Sequence, residues 1–168
     1  MSDAAVQSYL GEEFLTWLWF RLEREGGDFE IGRTKIGVLI DDFIAFAPHE
    51  GDETEQFLRK GAPTRTAEAR AGLRSGRRLR RAKLLIARDD DEWSVVIDGP
   101  TMALQGVKIP ADSEDAQTPG DRNAERIEYF LDVHDLVFGL YEQFLKDRLR
   151  PDYMATSGEA QANWMAGA

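Results

Sequence analysis

Few residues of this chain have types and spacings that suggest chemistry. His134 stands beside Asp132 and Asp135, and an Asp-x-His-Asp run on a helix can hold a metal or act as a general base. It falls at the edge of an apolar stripe, however, where a hydrogen-bonded structural histidine is the better reading, and no HExxH or other paired-ligand spacing accompanies it. The second histidine, His49, lies in the acidic loop HEGDETE. Asp41-Asp42 and Asp89-Asp90-Asp91-Glu92 offer hard oxygen donors of the kind Mg²⁺ or Ca²⁺ takes. The longer run lacks the alternating ligands and glycine of a calcium loop, and both fall where hairpin turns are expected. There is no cysteine, which excludes thiol chemistry, disulfides and cysteine-based metal sites. Nucleophile elbow, phosphate loop and dinucleotide fingerprint are all missing, and GLRSG ends a helix rather than opening one. The expectation is a protein without catalytic residues, metal or cofactor.

Charge is the more informative signal. The net charge is -10, yet nine bases and one acid lie between Arg65 and Arg88, a local charge of +8. The rest of the chain then holds twelve bases against thirty acids, or -18. Arg70, Arg74, Arg77 and Arg78 would share a helix and its exit, with Arg80, Arg81 and Lys83 on the strand that follows. Together these form a candidate strip for tracking phosphates, without any motif that reads base sequence. Two other uses of the strip stay open: pairing with the molecule's own acids, or docking on an acidic protein surface.

These residues need elements to position them. FLTWLWF, Phe14 to Phe20, sits in a helix, with Ser8 as a candidate cap and Gly26-Gly27 as the stop. Glu12 and Glu13 before it, and Arg21, Glu23 and Arg24 after it, leave the apolar run far short of the roughly 20 residues a membrane span needs. Its apolar face is too broad for a surface helix and is expected to form the core. FEIGRTKIGVLIDDFIAFAP reads as a hairpin, with strands near 36–40 and 43–47 and a turn at Asp41-Asp42, followed by a short strand in EQFLRKG. PTRTAEARAGLRSG reads as a short helix begun by Thr64 or Thr66 and stopped at Gly76. RRLRRAKLLIARDDDEWSVVIDG is the clearest hairpin, and TMALQGVKIP adds a further strand. ERIEYFLDVHDLVFGLYEQFLKDRL runs as a long helix with Ile127, Phe130, Leu131, His134, Val137, Phe138, Tyr141 and Leu145 in one broad stripe.

The expected fold is α+β: a mostly antiparallel sheet of about five to six strands packed against N-terminal and C-terminal amphipathic helices. Residues 1–150 make a single domain in which 111–121 is a mobile loop, and 151–168 form a disordered tail. The core should include Phe14, Trp17, Leu18, Trp93 and Phe138. The N-terminus, MSDAAVQSYLGEEF, has no basic region of a secretory signal, and a cytoplasmic location is expected.

TRTAEARAGLRSGRRLRRAKLLIARDDDEWSVVIDGPTMALQGVKIP resembles the C-terminal part of the recombination-associated RdgC proteins, and LGEEFLTWLWFRLE resembles the opening of the equivalent region in longer relatives. The similarity is diffuse and spread over residues 10 to 148. It implies a non-enzymatic nucleoid protein that binds duplex DNA with little sequence preference, forms a homodimeric ring and restrains recombination. Carried over by position, Arg74, Arg77, Arg78, Arg80, Arg81 and Lys83 would face DNA. Against that family the sequence would lack the N-terminal half, so a closed ring is not implied by it alone. The alternative expectation is an interaction module, an adaptor or inhibitor whose basic strip docks on an acidic protein.

Overall fold

Seven consecutive residues of one helix, Phe14 to Phe20, are buried. No single surface can bury every side of a helix, so the rest of the chain must surround this one. The computed structural model describes residues 3–48, 56–59, 61–112 and 116–167. The buried helix is α1, Asp3–Glu25, which begins before Ser8, so Ser8 lies within the helix and does not cap it.

The sheet comprises β1 (Asp28–Ile31), β2 (Thr34–Phe46), β3 (Gln56–Arg59), β4 (Leu79–Arg88), β5 (Asp91–Asp98) and β6 (Ala103–Lys108). All pairings are antiparallel, in the order β1-β2-β4-β5-β6, with β3 alongside the far end of β2. The fold is therefore α+β with helices packed on an antiparallel sheet, as the sequence leads one to expect. The hairpin expected at Asp41-Asp42 is instead one strand, β2, whose pairing with β4 shifts register between Ile40 and Ile44. Such an irregularity leaves residues out of the ladder without reversing the chain. The turn within this stretch of sequence instead joins β1 to β2 before Thr34, through Gly32 at φ 64°.

One face of the sheet makes the core. Ile36, Val38, Ile44, Phe46, Ala82, Leu84, Ile86, Trp93, Val95 and Ile97 meet Phe14, Trp17 and Leu18 there. Where α1 crosses the turn after β5 the backbones nearly touch, and a Cβ on Gly11 would collide with the Gly99 carbonyl. The helix α2 (Ala67–Arg74) covers one end of this face, capped by Thr66, whose hydroxyl accepts the Ala69 N–H at 3.2 Å. The long helix α3 (Pro119–Arg148) covers the other end with Val133, Leu136, Val137, Leu140 and Phe144. Trp17 Nε1 donates to Asp147 at 3.0 Å and Arg148 Nε donates to both oxygens of Glu13 at 3.1 Å, tying α1 to the last turn of α3.

Three further expectations are corrected. Phe138 is outside the core: it is 47% exposed, whereas Phe14, Trp17, Leu18 and Trp93 are at 0%. Much of the loop expected at 111–121 is ordered. Thr118 and Asp121 close a reciprocal capping box that starts α3, Asp112 takes a bidentate bond from Arg126, and Ala116 is buried. Residues 113–115 lie outside the described residues, as do His49 and the polar loop after it. The tail at 151–168, expected to be disordered, holds a single-turn helix at Tyr153–Ala155 and the helix α4 (Ser157–Gly167). Burial pushes the Tyr153 hydroxyl up to about 12. Trp164 of α4 packs edge-on against Trp19 and tilted against Phe20, both at 5.5 Å. The composition of the tail is small and polar, and one tryptophan seated on Trp19 and Phe20 of α1 decides its structure.

The contrast between Trp17 and Phe138 is testable. Trp17→Ala is expected to lower unfolding free energy by about 3–5 kcal/mol, the scale of a large aromatic lost from a core. Phe138→Ala should stay within about 0.5 kcal/mol of wild type, as exposed positions do. Chemical denaturation of both proteins checks this, and comparable losses would contradict the placement.

Candidate interaction surface

The seven basic residues singled out by sequence do not form one strip. Ala82 and Leu84 of β4 point into the core, so Arg81 and Lys83 between them face the opposite side of the sheet. Arg70 and Arg74 lie on α2, which sits on the core side through Ala69 and Leu73. Arg77 and Arg78 follow in its exit, and Arg80 lies where the register of β4 with β2 shifts.

Most of these charges are also paired within the molecule. Arg70 makes a bidentate bond to Glu23 at 3.0 and 2.6 Å and lies over the Trp19 ring. Arg78 donates to the Tyr9 hydroxyl at 2.9 Å and stacks on its ring at 4.1 Å. Arg81 is bonded to Asp98 at 2.8 Å. Burial alone would raise the Asp98 pKa, but the bonds from Arg81 and Thr101 outweigh it and hold the carboxyl below the usual range. Lys83 bridges Asp41 at 2.7 Å and Asp42 at 3.0 Å, and these bonds hold its ammonium above the ordinary lysine value. Arg88 reaches Asp132 at 2.6 Å. Arg77 and Arg80 are engaged as well. Arg74 is exposed at the end of α2. Phosphates would have to compete with these carboxylates for the same guanidinium and ammonium groups.

The acidic runs have structural partners too. Asp41 and Asp42 hold Lys83, Asp91 approaches Arg88 at 3.7 Å, and Asp89 takes φ 53° in the β4–β5 turn, a conformation aspartate tolerates. His134 is exposed, contrary to the structural role expected of it: its ring stacks on Phe138 at 4.7 Å, and Nδ1 lies 3.5 Å from Asp135. Among the described residues no three His, Cys, Asp or Glu side chains converge on a metal position, and no helix is long and apolar enough to cross a membrane. On the uncovered face of the sheet a shallow groove of about 530 Å³ is lined by Phe43, Phe57, Arg59, Arg81, Val96 and Gln105.

What stands out instead is the outer side of α3. Ile127 is 61% exposed, Phe130 49%, Leu131 60% and Phe138 47%. At about 100° per residue the apolar positions from Ile127 to Leu145 cover an arc of about 220° around the helix. The protein buries only the half centred on Val133, Leu140 and Phe144. The other half forms a ridge on the surface. The sequence carried the signal in the width of the stripe, since a helix that packs on one sheet needs a narrower one.

No family model, curated protein or solved structure matches the chain. The class it defines is thus an α+β domain, and its surfaces have to be read on their own chemistry.

Glu23 provides a check on the electrostatics. Its carboxylate accepts Trp19 Nε1, Trp164 Nε1 and the Arg70 guanidinium. Burial works to raise its pKa, and these bonds prevail and lower it. A group depressed in the folded state stabilises fully above its unfolded value, and that contribution disappears as pH falls through the folded one. The stability cost of Glu23→Gln is therefore expected to be largest at neutral pH and to shrink below the ordinary glutamate range. Denaturation of both proteins across an acid pH series measures it, and a cost independent of pH would contradict the arrangement.

Proposed function

We propose that this chain is a non-enzymatic protein-interaction domain whose docking surface is the exposed ridge of α3. The observation that carries the reading is the apolar ridge Ile127, Phe130, Leu131 and Phe138, left uncovered by a fold that encloses α1 on all sides. Apolar patches of this kind on an otherwise charged surface mark places where another macromolecule sits. The pairing of the basic segment with Glu23, Asp98, Asp41, Asp42 and Asp132 argues against its use as the docking surface.

A second reading, nonspecific binding of duplex DNA in the manner of RdgC proteins, is favoured by one feature. Arg74 is exposed at the end of α2, and Arg77 and Arg78 follow within four residues. The two readings separate in one experiment. In nuclease-treated extract of the producing cells, the wild-type chain should retain a protein partner. Leu131→Glu with Phe138→Glu should lose that partner, and Arg74→Glu with Arg77→Glu should keep it. Salt-sensitive binding to a labelled duplex that vanishes in the arginine variant, with no nuclease-resistant partner, would overturn the interaction reading in favour of DNA.

A further inference from the structure

The ridge is bordered differently on its two long sides. On one side, past Phe130 and Tyr141, it runs into the buried half of α3. On the other it meets acids: Glu128 and Asp135 flank Leu131 at i-3 and i+4, and Asp135 and Glu142 flank Phe138 in the same way, with Lys146 one turn beyond Glu142. These carboxylates are exposed; Asp135 is 83% exposed, and Glu142 has only a 3.8 Å approach from Lys146. Asp132, on the same polar side, is already held by Arg88. Between Ile127 and Leu145 the polar side of α3 has four acids and no lysine or arginine.

This border selects among occupants. Two copies of the chain packed antiparallel, ridge against ridge, would bring the acid wall of one against that of the other, which costs free energy instead of contributing it. A partner with basic residues beside its apolar ones meets an opposite charge along the whole contact. The ridge from Ile127 to Phe138 is about 16 Å of helix, the length of three turns in a partner whose apolar residues recur every three or four positions. We infer that α3 docks a basic amphipathic helix of another protein, with apolar side chains on Ile127, Leu131 and Phe138 and lysine or arginine against Glu128, Asp135 and Glu142. The inference rests on the interaction reading and gives the partner its chemistry, the opposite of the acidic surface that the basic segment suggests.

The test titrates the full chain into three labelled synthetic peptides by fluorescence anisotropy. One has leucine at every third or fourth position with lysine flanks, one has the same leucines with glutamate flanks, and one is the lysine peptide scrambled so that no apolar face forms. The first should bind roughly tenfold or more tighter than either of the others, and more weakly as salt rises. Leu131→Ser with Phe138→Ser should abolish that preference. Glu128→Lys with Asp135→Lys and Glu142→Lys should transfer it to the glutamate peptide. All five side chains are exposed on α3, and an unchanged melting temperature shows that the variants fold. Equal binding of the scrambled peptide, no binding of any peptide, or a preference unmoved by charge reversal would overturn the inference. So would a wild-type dimer in sedimentation that Leu131→Ser with Phe138→Ser dissolves. If the peptides fail while cellular capture still depends on Leu131 and Phe138, the partner's chemistry is wrong and the interaction reading stands. If capture is indifferent to both residues, that reading falls as well.

Discussion

The burial of α1 on every side is the constraint on which the rest of the structure depends. Phe14, Trp17 and Leu18 need the sheet, Trp17 also needs the last turns of α3, and Trp19 and Phe20 need something beyond both. That last need accounts for the docking of α4, which at 11 residues is too short to hold a helix firmly on its own. A short helix with one large aromatic is marginal in water, and its stability comes from where that aromatic packs. Glu23 then collects the indole N–H groups of Trp19 and Trp164 and the Arg70 guanidinium, so a polar contact closes the joint between α1, α2 and α4. Arg70, which looks from sequence like a phosphate ligand, is a component of this joint.

The same economy governs the other charges. The chain has an excess of acids, and its concentrated bases lie where those acids can reach them through the fold: Arg81 across to β5, Lys83 to the irregular stretch of β2, Arg88 to α3. The carboxylates left in solvent are then more telling than the arginines. Those on α3 stand beside an apolar surface that the domain does not use for itself. A long helix with an apolar arc of about 220° has more surface than one packed side uses, and here the fold covers only the half centred on Val133, Leu140 and Phe144.

The α+β class, the antiparallel sheet, the β4–β5 hairpin and the central place of FLTWLWF were legible because period and turn chemistry are local. Three features were not. Asp41-Asp42 looks like a turn, yet β4 runs alongside β2 through an irregularity and supplies Lys83 to neutralise the pair. The residues after Pro151 look disordered because composition cannot register a single tryptophan that packs on Trp19 and Phe20. Phe138 looks like core because it shares a stripe with Val137 and Tyr141, and the stripe alone does not say where the packed half ends and the exposed half begins. For the candidate site, the sequence located the bases correctly, but whether a charge is spent inside the fold depends on contacts across 17 to 47 residues of chain.

The most direct measurement is site-specific photo-crosslinking in the cells that produce the protein, with a photoreactive phenylalanine analogue replacing Leu131 in one protein and Arg77 in another. The account predicts a discrete protein adduct from position 131 and none from position 77. An adduct to nucleic acid or protein from position 77, with position 131 silent, would contradict it.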